Sequence, residues 1–203
     1  MNKYEIYLRE GMYLKDDIIK SIEDEVRTRC ESENNFFGMG GYYHIKAVVK
    51  NSISFAERYG ADVEVVTIAA WLHDIASVTD YSLYEEHHIH GVRIATDILN
   101  DLNYTSEKIE LIQKCILNHR GSKILEKNSK EEICVADGDA ISHFDNIPSL
   151  FHLAYEVRKY SIEEGANFVR NKLMRSYNKL SEESKEMYKE KYDNVMSVIT
   201  IID

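Results

Sequence analysis

A single proline, Pro148, interrupts the 203 residues, and only nine glycines accompany it. These two residues are the usual helix breakers. A chain so poor in both is built for long helices. No alternating β-branched run stands out to argue for strands. The expected fold class is therefore all-α, a helical bundle. At 44% hydrophobic and 30% charged, the chain has the composition of a globular protein with a substantial core. No internal repeat, low-complexity tract or linker divides it, so one domain over 1–203 is expected.

Apolar spacing and cap residues predict the helices. Residues 14–32 carry Leu14, Ile18, Ile19, Ile22 and Val26, and 42–59 follow the glycine-rich turn Gly38-Met39-Gly40-Gly41. Asp62 is a good N-cap for 63–76. Ser82 and Glu85 have the spacing of a capping box before 83–102. A helix over 106–120 ends near Gly121, and another covers 131–145. Pro148 suits a first helical turn. Ser161 and Glu164 form a second capping-box pattern, splitting 148–178 in two, and 182–202 closes the chain.

Several function classes are disfavoured at once. No apolar run approaches the ~18–20 residues that span a bilayer, and the N-terminus is too polar for a secretory signal. Cys30, Cys115 and Cys134 lack paired or metal-type spacing and read as reduced thiols, which points to the cytoplasm. A net charge of -10 argues against a nucleic-acid or anionic-membrane surface, while leaving room for a small anionic ligand beside a local cation.

The informative feature is where polar residues fall on apolar faces. His44 shares a helical stripe with Val48, Asn51/Ser52 and Phe55. The segment 63–76 is apolar almost all round, which marks an enclosed helix. His73 and Asp74 nevertheless end it. Adjacent helical residues point ~100° apart, so the pair can share an ion only in the groove flanking the helix. An ionised carboxylate buried there must be paired or metal-bound. His87 begins the stripe Gly91, Ile94, Ala95, Ile98 and Leu102, with His88 and His90 as alternatives. His119 extends Ile109, Ile112, Cys115 and Ile116. Val135, Asp139 and His143 stack four apart, and Asp137 lies on another side, beside Ile133, Ala140 and Phe144. Each residue alone reads as a core histidine or a salt-bridged acid. Five helices placing such residues at core-facing positions point instead to a shared ion. Imidazoles with carboxylates select Zn, Mn, Fe, Ni or Co. The absence of a thiolate argues for a catalytic rather than a closed structural site.

The order His44, His73-Asp74, Asp139, in the contexts YHIKAVV, AAWLHDIA and CVADGDAISHF, resembles the HD-domain superfamily of metal-dependent phosphohydrolases. The resemblance covers about 40–145, leaving 148–202 as additional C-terminal helices. It implies a first metal held by His44, His73, Asp74 and Asp139. Asp139 is preferred over Asp137 because Asp139-Ala-Ile matches the family register, with Gly138 where alanine is usual. In two-metal members Asp74 would bridge, and the segments EEHHIHGVRIA and CILNHRGS would supply His87 and His119. Ala47 replaces a frequent arginine, and Ile75-Ala76 replaces the frequent Ile-Gly. No GYP follows His119, which disfavours cyclic-di-GMP hydrolysis, and the synthetase motifs of alarmone enzymes are missing.

The implied activity is hydrolysis of a small phosphorylated molecule, a nucleotide among the candidates, with one or two divalent transition metals as cofactor. A bound ion generates a nucleophile and neutralises phosphoryl charge. Asp74 would orient or deprotonate the water. Arg120 and Lys172 are candidates to hold the phosphoryl oxygens, Arg158 reading better as a surface charge. His143 is a candidate donor to the phosphate or the leaving group. The aromatic and basic segment 151–180 suits either a pocket lid or ordinary core. A di-iron oxygenase and a non-catalytic nucleotide sensor are the rival readings.

Overall fold

A computed structural model describes residues 3–120 and 127–199, with side chains from residue 17 onward. Ten α-helices follow in order: α1 (Lys3–Glu31), α2 (Met39–Tyr59), α3 (Val63–Leu72), α4 (Ile75–Thr79), α5 (His87–Asp101), α6 (Ser106–Asn118), α7 (Lys130–Asp145), α8 (Ile147–His152), α9 (Ile162–Asn178) and α10 (Glu182–Val198). A 3₁₀ segment, Tyr81–Glu86, precedes α5, and a π turn, Leu153–Val157, follows α8. Among the described residues there is no strand, and the fold is all-α as expected. None of the described helices is long and apolar enough to cross a membrane.

The caps bear out part of the reading. The Asp62 carboxylate accepts from the N–H groups of Glu64 and Val65, and Ser161 with Glu164 forms a reciprocal capping box. Pro148 sits in the first turn of α8. Gly60 ends α2 in the left-handed conformation (φ 65°), which glycine adopts without strain. Other expectations need correction. The first helix begins at Lys3 rather than near residue 14. The Ser82–Glu85 capping box does not form; Asp80 accepts from Ser82 N instead and starts the 3₁₀ segment. The buried face of α5 runs through His88, Gly91, Ala95 and Leu99, with Ile94 and Ile98 only half-buried. α6 ends at Asn118, short of the expected 106–120, and α10 ends at Val198, while the expected end at residue 202 lies outside the described residues.

α3 is the central helix, buried from Val65 to Leu72 as its all-round apolarity demands. Around it one apolar core runs from Ile22 through Ile68 and Ile112 to Leu173. Two close approaches set the geometry that matters below. A Cβ on Gly138 of α7 would stand 2.1 Å from Ser52 Oγ, 2.9 Å from Ser52 N and 3.1 Å from Ser52 Cα of α2, so the two backbones meet there. A Cβ on Gly91 would stand 3.3 Å from Ile116 Cγ2 and 3.6 Å from the His73 carbonyl. Gly91 thus draws α5 against α6 and the end of α3.

Candidate metal centre and its cavity

The helix expected over 63–76 breaks at the His-Asp pair. α3 stops at Leu72, His73 and Asp74 form a turn, and α4 starts at Ile75. The break releases the pair from the ~100° divergence of a continuous helix. Asp74 takes φ −109°, ψ 17° and turns its carboxylate toward the same space as His73. His73 Nε2 lies 3.6 Å from Asp74 Oδ2.

The other residues converge on this carboxylate. His44 Nε2 on α2 is 3.7 Å from Asp74 Oδ2 and 3.3 Å from Asp139 Oδ1 on α7. His87 Nε2 at the start of α5 is 3.4 Å from Asp74 Oδ1, and His119 Nε2 beyond α6 is 3.8 Å from it. His87 Nε2 and His119 Nε2 stand 3.2 Å apart. Asp137 is elsewhere: its carboxylate accepts from the backbone N–H and hydroxyl of Ser181, ahead of α10. His88 is buried on the α5 face and His90 is half-buried; neither belongs to the cluster.

The hydrogen bonds at the far ring nitrogens fix the tautomers. His73 Nδ1–H donates to the Ala70 carbonyl (2.7 Å), His87 Nδ1–H to that of Tyr84 (2.7 Å) and His119 Nδ1–H to that of Ile116 (2.6 Å). Carbonyls only accept, so each ring keeps its proton on Nδ1 and offers a lone pair at Nε2. Two lone pairs facing each other, as at His87 and His119, repel unless a cation lies between them. His73 Nε2 is fully buried and has no hydrogen-bond partner among the described residues. Donor atoms about 2.1 Å from one ion stand roughly 3–3.5 Å from each other, close to the spacings found. The triads His44, His73, Asp139 and His73, Asp74, His119 each place their ligand atoms within 4.8 Å of one another. The residues present therefore fit a divalent transition metal.

Electrostatics agrees. Burial pushes the His73 imidazole down to about 4, against the pull of Asp74, so the ring is neutral at pH 7. Burial also lowers His87. Burial opposes ionisation of Asp74, but His73, His119 and His87 outweigh it and hold the carboxyl well below its usual range. Asp139 is likewise held low, against burial, first by the Lys179 ammonium and then by His44 and His143.

A cavity of about 490 Å³ opens over the cluster, a size suited to a small ligand. Arg120, Lys172 and His143 all line it. Arg120 is latched to Glu85, donating to its carbonyl and lying 3.6 Å from its carboxylate. Half-buried Lys172 makes no hydrogen bond and no ion pair among the described residues, and burial lowers its pKa. His143 is buried, 4.0 Å from Asp139 Oδ1 and 3.3 Å from Ser176 Oγ, and burial followed by the nearby Lys172 charge lowers its pKa. Arg158 does not line the cavity; it is half-buried, its guanidinium 5.4 Å from the centre of the Phe168 ring. The 151–180 segment supplies a wall of the cavity through α9. Sequence reasoning missed Lys179, which pairs with Asp139, and Ser142, which contacts His44. Lys179 lies seven residues beyond Lys172, two turns along one helical face, and that spacing was readable.

Residues 41–143 match the HD domain, and the chain belongs to this family. An uncharacterized protein of Clostridium beijerinckii is 34% identical over 77 residues, 38% of this chain. The match spans only about half of that relative (49%). Two solved structures share the fold over nine-tenths of the chain. An HD-superfamily hydrolase of Bacillus thuringiensis is 21% identical with TM-score 0.65, covering 90% of this chain and 93% of that one. Bacillus subtilis YpgQ is 16% identical with TM-score 0.65, covering 91% and 93%. YpgQ has also been solved in complex with ADP, a structure 18% identical with TM-score 0.57, covering 87% and 93%.

Proposed function

We propose that this chain is a metal-dependent phosphohydrolase that cleaves a phosphate ester of a small molecule, and that the molecule is a nucleotide. The observation that carries the reading is the set of Nε2 lone pairs aimed with two ionised carboxylates at one space beneath a cavity. The ADP complex of YpgQ supports the choice of a nucleotide.

In this reading His44, His73, Asp74 and Asp139 would hold one ion, and His87, His119 and Asp74 would hold a second. When bound, such an ion would supply Lewis-acid polarisation of a phosphoryl oxygen and a water of lowered pKa, toward ~7. Asp74 would orient the attacking water by accepting its hydrogen bond. Lys172 meets the non-bridging oxygens, since its ammonium has no hydrogen-bond or ion-pair partner to leave among the described residues. Arg120, held by Glu85, guards the rim and has further N–H donors for an anion. His143 hydrogen-bonds the phosphate or the departing oxygen from the inner wall.

The test combines elemental analysis of the purified protein with a panel of phosphatase and phosphodiesterase substrates run against Mn, Fe, Ni, Co and Zn. Asp74→Ala is expected to lose both bound metal and turnover while its circular dichroism stays helical. His119→Ala should lower stoichiometry from two ions toward one. Turnover surviving in metal-depleted Asp74→Ala would refute the site. Two irons with a mixed-valence signal and no hydrolysis would transfer the assignment to oxygen chemistry.

A further inference from the structure

Three of the four imidazoles of the cluster are held by a carbonyl three residues earlier: Ala70 for His73, Tyr84 for His87 and Ile116 for His119. Each sits at a helix end or beside a short 3₁₀ segment. Carbonyls at such ends have acceptor capacity to spare, so the backbone itself can fix the ring, and that of Tyr84 takes the His87 backbone N–H as well. His44 differs. It lies within α2, and carbonyls in its own helix are already engaged by N–H groups one turn on. Its Nδ1–H turns to an acceptor on another element instead.

That acceptor is Ser142 Oγ of α7, at 3.1 Å. The hydroxyl proton of Ser142 is committed to the Asp139 carbonyl at 2.7 Å, which leaves an oxygen lone pair for His44. Ser142 is fully buried. One hydroxyl therefore ties the imidazole on α2 to the backbone of Asp139, whose carboxylate lies 3.3 Å from His44 Nε2. We infer that Ser142 is a positioning residue, which holds His44 in the Nδ1–H tautomer and rotation that present Nε2 to the ion. This rests on the proposed metal centre.

The experiment uses the full chain. First, the His44 tautomer is read by ¹⁵N NMR of imidazole-labelled, metal-free protein. The wild type should show Nδ1–H, and Ser142→Ala a mixture of tautomers. Second, Co²⁺ is titrated and its absorption bands followed. Ser142→Ala should weaken binding 10–100-fold, the usual effect of removing a partner behind a metal ligand. In a His44→Ala background the same change should cost nothing further. Ser176→Ala is the control: it deletes another buried hydroxyl, beside His143 rather than a proposed ligand, and should leave Co²⁺ affinity unchanged. A wild-type protein that binds no Co²⁺ would sink the metal centre itself. A wild type that binds Co²⁺, with an unaltered His44 tautomer and affinity in Ser142→Ala, would overturn the role of Ser142 alone.

Discussion

Gly138 is the position where fold and site can be separated by one methyl group. In Gly138→Ala the helix propensity of α7 alone would improve by about 1 kcal/mol. The new Cβ, however, would meet Ser52 Oγ at 2.1 Å and the Ser52 backbone at 2.9 and 3.1 Å. The hydroxyl can rotate away, but the backbone nitrogen and Cα cannot. α2 and α7 must therefore part by a few tenths of an ångström. Overpacking of this kind costs about 1–3 kcal/mol, and contact with fixed backbone belongs at the upper end. The net expectation, after the propensity gain, is a loss of about 2 kcal/mol. For a chain of this size that is a fall in Tm of about 4–8 °C. Urea and thermal unfolding of the metal-free protein read it directly. The same parting separates His44 on α2 from Asp139 on α7, now 3.3 Å apart, so metal affinity should fall as well. Adding Ser52→Ala removes the 2.1 Å clash but not the backbone one, and should restore only part of the loss. A Gly138→Ala protein as stable as wild type, or more so, with unchanged metal uptake, would show that the close approach of the two helices does not set the site.

Acid should destabilise the metal-free protein in a defined window. His73 titrates at about 4 when folded and near 6.5 when unfolded, so between these values the unfolded chain binds a proton that the folded one refuses. Stability therefore falls as pH drops from 6.5 to 4, by about 3 kcal/mol in all, and His143 acts in the same direction. Asp74 and Asp139, depressed below 3.8, lose their contribution only at lower pH. A flat urea-denaturation profile across pH 7 to 4.5 would contradict this. Lys172→Met removes an ammonium that burial disfavours and that no carboxylate among the described residues pairs with, so it should raise Tm while raising KM for a phosphorylated substrate. A lower Tm with unchanged KM would make Lys172 a structural residue.

The helices were legible because their signals are local. Asp62, Ser161-Glu164 and Pro148 act on neighbours within a turn, and each stands where its chemistry directs. The features that escaped are products of packing. The apolar periodicity of 63–76 continues past the His-Asp pair, yet α3 stops at Leu72. A continuous helix would have splayed His73 and Asp74, and the turn brings Nε2 and Oδ2 within 3.6 Å. The stripe through Ile94 and Ile98 misjudged the buried face of α5, because a single helix cannot reveal which neighbours flank it. His87 nonetheless reaches the cluster, since the first residue of a helix is not bound by the stripe that follows.

Asp137 and Asp139 show the same limit from the other side. Helical spacing put them on different faces, but only contacts across the chain distinguish their tasks. Asp137 accepts from Ser181 and anchors the start of α10, while Asp139 faces His44 and Lys179. Lys179 had no local signal beyond its place two turns after Lys172, and its partner lies 40 residues earlier in the chain. Ser142 had none at all, being one serine among many until α2 and α7 are docked. Three ligands at helix ends draw on carbonyls three residues earlier, whereas His44, within a helix, borrows from a neighbour. The long helices that so few breakers impose therefore make His44 the ligand whose support a sequence cannot display. It follows that the α2–α7 contact, set by Gly138 against Ser52, bears on the site twice: it sets the separation of His44 from Asp139, and it brings Ser142 to the ring.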